Sequence, residues 1–285
     1  MTRRPRRPIP SSVVLAAALV AIPLLVPVGC NDAGPPPLQT LSSSGGTPTQ
    51  EVVQPPSAAE KTEAMDRLDR AIKAHGGAER LRNFKICVQH MKGTMHYPDE
   101  GMVAVEQELK TQLPDRLRLW SKSFRARGIE EGVITANGNA AWYTMGGQHR
   151  PMPYAEHRDL DQELVFRRTM NLLPLKGDEF VVRTEKGEPL AGRPTVALIV
   201  GSKKMPTTRY YFDAETYLLV RTLSRAWEEA NSVQEREILL SSHKSFDGLL
   251  LPTEYTDKRN GTVAITLKIN YSFPKELDAK EFAQP

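Results

Sequence analysis

The sequence is poor in cysteine, which limits the redox and metal chemistry that the chain can carry. Its cysteines are Cys30 and Cys87. Two cysteines cannot supply a four-thiolate zinc site. A free cysteine in a fold behaves as a small hydrophobic residue, so we expect Cys87 to be a buried strand residue.

Sequence motifs of common enzymes are also missing. The chain has no HExxH, GxSxG, Walker or GxGxxG motif, which are local signatures of metalloproteases, serine hydrolases and nucleotide-binding proteins. The histidines show no metal-ligand spacing; they are His75, His90, His96, His149, His157 and His243. We therefore predict no catalytic residue, metal or cofactor. The sequence leaves one enzyme hypothesis open: an enzyme whose catalytic residues are scattered along the chain and meet only in the fold.

No apolar run is long enough for an ordinary transmembrane helix. The longest covers residues 13–28, about 16 residues, and contains two prolines, whereas a spanning helix needs roughly 20. Four arginines and no acidic residue precede it. A positive start followed by a short apolar core is typical of a secretory signal, so we predict a signal peptide over residues 1–29.

The end of this apolar run resembles the bacterial lipobox. The sequence reads Val-Pro-Val-Gly-Cys at residues 26–30, with Pro27 where the motif usually has leucine. The resemblance implies that Cys30 becomes the lipid-bearing first residue, which leaves Cys87 without an intramolecular disulfide partner. The alternative is an ordinary signal peptide with an incidental cysteine. In some bacteria an aspartate directly after the lipid-bearing cysteine retains the protein at the inner membrane. The residue at this position is Asn31, so we expect the outer membrane rather than the inner one.

Little excess charge remains once the signal is removed. The full chain has 38 basic and 34 acidic residues, and residues 1–29 contain four arginines and no acid. The remaining chain therefore has equal numbers of both signs. Nucleic-acid binding needs a clustered positive excess, so we predict no nucleic-acid partner.

The remaining chain divides into a tether and one folded domain. Residues 30–57 are rich in proline, serine, threonine and glycine, a composition typical of a flexible tether. Residues 58–285 form the predicted domain. An apolar stripe predicts a helix over residues 58–75, followed by a short turn at 78–81. A second helix is predicted to begin at a capping box at Asp159 and to end before Pro174.

Alternating polar and apolar residues predict strands through most of the domain. The twelve segments are 85–96, 102–112, 115–124, 130–136, 139–145, 179–184, 194–201, 207–213, 217–226, 233–244, 249–257 and 262–272. Turn pairs such as Asn137-Gly138 and Asn260-Gly261 separate many of them. The predicted fold is mainly β, of the α+β class: a long curved antiparallel sheet forming an unclosed barrel, with about two helices packed as a lid.

Several stretches resemble the periplasmic lipoprotein carriers of the LolA/LolB-like family. The stretches lie in the same order as in that family, at residues 74–81, 112–119, 133–143, 209–221, 245–252 and 277–285. Residues 133–143, for example, resemble the "D-G-k-x-l-W-x-Y" hairpin of the carriers. The resemblance spans residues 60–285 and implies an unclosed β-barrel whose helices cover an apolar cavity for acyl chains.

The resemblance implies a non-enzymatic envelope lipoprotein that binds lipid or lipoprotein acyl chains, with roles in lipoprotein sorting or envelope lipid handling. We expect it to face the periplasm, held on the membrane by the lipid on Cys30. Candidate ligand-binding residues are the apolar strand residues and one matched arginine: Leu117, Arg118, Leu119, Trp142, Tyr210, Phe212, Val263, Ile265, Leu267 and Ile269. The alternative is a membrane-anchored protein-interaction module with a closed core and no ligand cavity.

Overall fold

A computed structural model describes residues 52–227 and 233–284. The predicted signal peptide, Cys30 and most of the predicted tether lie outside these residues. The described part contains three α-helices: α1 Ala58–Ala74, α2 Ala78–Asn83 and α3 Tyr154–Thr169. It also contains two short 3-10 helices, Leu173–Lys176 and Ala279–Phe282.

Thirteen strands of the described residues form one sheet. They are β1 Ile86–Tyr97, β2 Gly101–Gln112, β3 Arg116–Arg125, β4 Gly128–Asn137, β5 Ala140–Met145, β6 Gln148–Pro151, β7 Val181–Glu185, β8 Thr195–Ser202, β9 Met205–Asp213, β10 Leu219–Trp227, β11 Val233–Phe246, β12 Leu249–Arg259 and β13 Thr262–Ser272. The order is β6-β5-β4-β3-β2-β1-β13-β12-β11-β10-β9-β8-β7, and neighbouring strands are antiparallel. The sheet is unclosed because β6 and β7 are its two edges.

Local sequence explains most of these hairpins. In β3 the buried residues alternate with less buried ones along the strand, the pattern of a sheet with one face turned to the core. Asn260 and Gly261 connect β12 to β13 with φ of 46° and 79°. Asparagine and glycine tolerate this left-handed backbone better than other residues, which is why such pairs favour tight hairpins.

The sheet curves around a single core. A flat sheet of thirteen strands would be about 60 Å wide. Nevertheless, buried side chains from β3, such as Leu119, and from β8, such as Leu198, belong to the same hydrophobic cluster. We call the face that carries this cluster, and that α3 contacts, the inner face. The Tyr210 hydroxyl of β9 marks it, because it lies 2.5 Å from the Thr169 hydroxyl of α3.

The two long helices differ in how they are held. A capping box starts α1, since the Glu60 backbone N–H donates to the Ser57 side chain and the Ser57 backbone N–H donates to the Glu60 carboxylate. Helix α1 packs on β7, with Leu68 and Ala71 fully buried. Helix α3 lies against the inner face through Leu160 and Leu164, which are buried, and through ion pairs that cross to the sheet.

The structure confirms the predicted fold class and corrects three details. Helix α3 begins at Tyr154, with Pro153 at its N-cap and no side-chain cap, so the predicted start at Asp159 was wrong. Proline suits a helix start because its fixed φ is already helical. The predicted turn at 78–81 is helix α2. Strand β6 was missed because its four residues are all exposed and give no alternating pattern.

Gly93 marks a position where the backbones of two central strands leave no space for a side chain. A Cβ atom at Gly93 of β1 would lie 1.8 Å from the Thr266 carbonyl oxygen of β13. We expect Gly93→Ala to lower the free energy of unfolding by about 3 kcal/mol, because neither backbone can move without disturbing the sheet. Urea unfolding followed by circular dichroism measures this change.

Gly177→Ala is the matched control for this substitution. Gly177 has an ordinary φ of −85°, and a Cβ atom added there would lie 3.3 Å from the Pro174 carbonyl oxygen. We expect a change of about 0.5 kcal/mol or less. Equal stabilities for the two variants would contradict the close approach of β1 and β13.

Candidate functional site

A cavity lies between α3 and the inner face of the sheet. Helix α3 contributes Glu163, Phe166 and Arg167, and Met170 at its C-cap also lines the cavity. Six adjacent strands of the order β2-β1-β13-β12-β11-β10 contribute Thr111, Gln89, Ile269, Tyr271, Tyr255, Leu251, Pro252, Leu240 and Leu219. His75, Phe84 and Leu113 from the connecting segments complete the lining. We call this space the inner cavity.

The inner cavity is small for a ligand site. Its volume is about 90 Å³, whereas pockets for small organic ligands usually measure about 300 to 1,000 Å³. A volume of this size holds a few water molecules. The side chains of α3 and of the surrounding strands therefore leave little empty space between them.

The structure distributes the predicted ligand-binding residues over both faces of the sheet. Leu117 and Leu119 lie on the inner face, because they pair with Thr111 and Leu109 and Thr111 lines the cavity. Tyr210 also lies there, and Phe212 follows it two residues along β9. Every second residue of β13 lies on the same face as the cavity residue Tyr271; these residues are Val263, Ile265, Leu267 and Ile269. Of the predicted set, Ile269 lines the inner cavity, while the other inner-face residues pack elsewhere on that face.

Arg118 and Trp142 lie on the outer face. Both pair with Thr135, Arg118 from β3 and Trp142 from β5. Directly opposed residues share one face of a sheet, and that face is opposite to the one of Leu117. Arg118 borders a broad open groove together with Trp120 and charged residues of β1, β2 and β13. The structure thus does not bring these two residues to the inner cavity.

A buried network of charges links α3 to the sheet and was not predicted from the sequence. Arg236 Nη1 donates to Glu163 Oε2 at 2.7 Å, and Arg236 Nε donates to Asp257 Oδ2 at 2.9 Å. Arg259 Nε lies 3.1 Å from Asp257 Oδ1. Arg167 Nη2 lies 2.9 Å from Glu163 Oε1. We call these five residues the α3 latch.

The electrostatics of the α3 latch follow from burial and mutual attraction. Burial disfavours the charge of Arg236, but the carboxylates of Asp257 and Glu163 outweigh this and raise its pKa well above the usual value. Burial lowers the pKa of Arg259, and the nearby positive charge of Arg236 lowers it further. The Glu163 side chain is only 2 % exposed. The network therefore depends on every charge keeping its partner.

In contrast to the α3 latch, two tyrosines of the inner cavity and the nearby Cys87 are held in uncharged forms. Burial raises the pKa of Tyr255 and of Tyr271. Burial raises the pKa of the Cys87 thiol to about 12, so this cysteine is a protonated, inert core residue. This placement confirms the expectation of a buried strand residue.

His75, which lines the inner cavity, uses both ring nitrogens in hydrogen bonds to the backbone. Its Nδ1 lies 2.8 Å from the Ala71 carbonyl oxygen, and the Leu219 N–H donates to its Nε2 at 3.3 Å. Only a neutral ring with the proton on Nδ1 satisfies both bonds. Burial lowers the pKa of His75 to about 4, so the ring stays neutral near pH 7 and fastens the end of α1 to β10.

The described ranges contain no group of three or more histidine, cysteine, aspartate or glutamate side chains arranged to hold a metal ion. Within residues 52–227 and 233–284, no helix has both the length and the apolar character needed to cross a bilayer.

Comparisons with known proteins identify the fold. No protein-family model matches the chain, and no curated protein sequence matches it. The structure of a LolA superfamily protein from Nitrosomonas europaea matches with a TM-score of 0.50 and 10 % identity, over 77 % of this chain and 97 % of that chain. A candidate outer membrane lipoprotein-sorting protein domain from Vibrio parahaemolyticus has a TM-score of 0.49 and 9 % identity, over 78 % and 96 % of the two chains. The fold is LolA-like, as the sequence motifs predicted.

Proposed function

We propose that this chain is a non-enzymatic lipoprotein of the cell envelope that binds an acyl chain between α3 and the inner face of the sheet. The observation that carries the proposal is the inner cavity, which one helix and six adjacent strands enclose. Apolar side chains such as Phe166, Leu240 and Ile269 line it, and acyl chains are bound by apolar surface. The LolA-like fold, which this chain shares with a LolA superfamily protein, supports the same ligand class.

Binding requires α3 to move, because the inner cavity is smaller than an acyl chain needs. Helix α3 is suited to such a movement. Charged groups of the α3 latch hold it to the sheet, and these charges regain hydration when α3 lifts, which offsets part of the cost of separating them. Just after its C-terminal end, buried Leu172 has a φ of 65° and a ψ of −35°, a sparsely populated conformation that costs a non-glycine residue about 1 to 3 kcal/mol. A rotation at Leu172 would release this strain as α3 opens.

The proposed location follows from the N-terminal sequence. A diacylated Cys30 would anchor the chain stably, since one acyl chain alone gives only marginal membrane binding. The tether would allow the folded domain to reach lipids and other lipoproteins. Asn31 favours the outer membrane. An anchored protein acts as an acceptor or holder of lipid or lipoprotein, with lipoprotein sorting or envelope lipid handling as its role.

Lipid uptake tests the proposal. We expect native mass spectrometry of protein purified from membranes to show co-purifying lipid, and a fluorescent fatty acid to bind the protein after delipidation. Ile269→Trp should reduce this binding several-fold, because the larger side chain occupies the inner cavity. The matched control is Ile129→Trp, at a position that is 61 % exposed, and it should bind as the wild type does.

The alternative function makes the opposite prediction. A protein-interaction module with a closed core is favoured by the small volume of the inner cavity. Such a module would carry no lipid and take up no fatty acid. Absence of both co-purifying lipid and fatty-acid binding in the wild type would overturn the proposed function and leave the interaction module. Thermal unfolding of both tryptophan variants separates lost binding from lost folding.

A further inference from the structure

A second pocket lies beside the inner cavity. It lies where α2, the turn between β2 and β3, and the chain after α3 meet, and its volume is about 570 Å³. We call it the basic pocket. Leu113 lines both the basic pocket and the inner cavity. Phe84 and Met170 of the inner cavity are each followed directly by a residue of the basic pocket, Lys85 and Asn171. The two spaces are therefore adjacent.

The charged residues of the basic pocket all have one sign. Arg82, Lys85 and Arg168 line it, and no acidic residue among the described ones does. Arg168 pairs with Glu179. Within the described part of the chain, Arg82 and Lys85 are exposed and have no acidic partner within ion-pair distance. Because the domain otherwise balances its charges, this local excess favours an anion.

Apart from its cations and Asn171, the basic pocket is lined by apolar residues. These are Leu81, Leu113, Pro114, Leu173 and Pro174, of which Leu81 is 2 % exposed. A small soluble anion gains nothing from such a surface. A molecule that combines an anionic group with hydrocarbon would contact both the cations and the apolar lining.

Asn171 adds a buried hydrogen-bond acceptor to the basic pocket. The side chain is buried, with the residue 5 % exposed, and its Nδ2 donates to the Leu81 carbonyl oxygen at 2.6 Å. Its Oδ1 is buried and accepts no hydrogen bond from the described residues. A buried acceptor without a donor is costly. A hydroxyl or amide N–H of a bound molecule would satisfy it.

We propose that the basic pocket binds the anionic headgroup of the lipid whose acyl chain enters the inner cavity. This inference rests on the proposed function. The headgroup phosphate contacts Arg82 and Lys85, a headgroup hydroxyl donates to Asn171 Oδ1, and the first part of the hydrocarbon crosses Leu113. The preferred ligand is then an anionic phospholipid with a hydroxylated headgroup, rather than a neutral glyceride.

Paired lipids that differ only in the headgroup test the inference. The probes are phosphatidylglycerol and diacylglycerol with the same fluorescent acyl chain, and soluble glycerol phosphate serves as competitor. We expect the wild type to bind phosphatidylglycerol about tenfold more tightly, the effect of one to two charge-assisted contacts. A double variant, Arg82→Gln with Lys85→Gln, should lose this preference and bind diacylglycerol as the wild type does.

The control variant removes the same charge elsewhere. Lys61→Gln with Lys203→Gln neutralises two exposed lysines outside the basic pocket and should keep the tenfold preference. Equal binding of both lipids by the wild type would overturn the headgroup site and leave the proposed function intact. Binding of neither lipid would overturn both. Tight binding of glycerol phosphate alone would show a site for soluble phosphates and overturn the lipid assignment.

Discussion

Glu163→Gln is expected to lower the free energy of unfolding by about 3 kcal/mol, because it leaves buried arginines short of a negative charge. Glu163 bonds Arg236 at 2.7 Å and pairs with Arg167 at 2.9 Å. Once Glu163 is replaced by glutamine, Asp257 is the single carboxylate that remains in the α3 latch. Urea unfolding measures the change. The same variant should take up fluorescent fatty acid several-fold faster, since α3 opens more readily.

Asp161→Asn is the matched control on the same helix. Asp161 is exposed and close to His157, so removing its charge should change stability by about 0.5 kcal/mol or less. A double-mutant cycle of Glu163→Gln with Arg236→Met should give a coupling of at least about 1 kcal/mol. Additive effects of the two substitutions would contradict an energetic link between α3 and β11. Slower uptake by Glu163→Gln would contradict the movement of α3.

Cys30→Ala is expected to remove the lipid and move the protein from the membrane fraction to the soluble fraction. The physical reason is the loss of acyl chains, each of which contributes about 0.8 kcal/mol per buried methylene to membrane binding. Fractionation after a high-salt wash, followed by immunoblotting, measures the partition. Mass spectrometry of the N-terminal peptide should show the added acyl mass on Cys30 in the wild type and not in the variant.

The second cysteine provides the control for this experiment. Cys87 is buried in the domain, so Cys87→Ala should leave the protein in the membrane fraction whatever it does to stability. Unchanged membrane partition of Cys30→Ala, together with an unmodified N-terminal peptide in the wild type, would contradict lipidation. Cys30 would then be an incidental residue beside an ordinary signal peptide.

The succession of antiparallel hairpins was predictable because each hairpin depends on a local pattern. Residues along β13 alternate between apolar and polar types, and turn pairs such as Asn260-Gly261 limit where a hairpin can close. Strand β6 could not be found in this way, because none of its residues is buried. The start of α3 was misplaced because the acids near Asp159 resemble a cap, whereas the actual N-cap is Pro153.

The candidate site was less predictable than the fold. Alternation indicates that Leu117 and Arg118 point to opposite faces, and it does not indicate which other strands share those faces. Glu163, Arg236 and Asp257 look like ordinary surface charges in the sequence. Their burial is possible only because each lies within ion-pair distance of another, and this proximity depends on how α3 lies over distant strands.

The sequence by itself predicted an export signal and a near-neutral charge for the chain without it, and it determined the succession of hairpins, because each of these depends on contiguous residues. The tertiary structure decided which side chains line the inner cavity, how little volume α3 leaves there, and where the cations of the basic pocket converge. These properties arise from the curvature of the sheet and from the position of α3 against its inner face. Both bring together residues that are distant in sequence, so no local pattern records them.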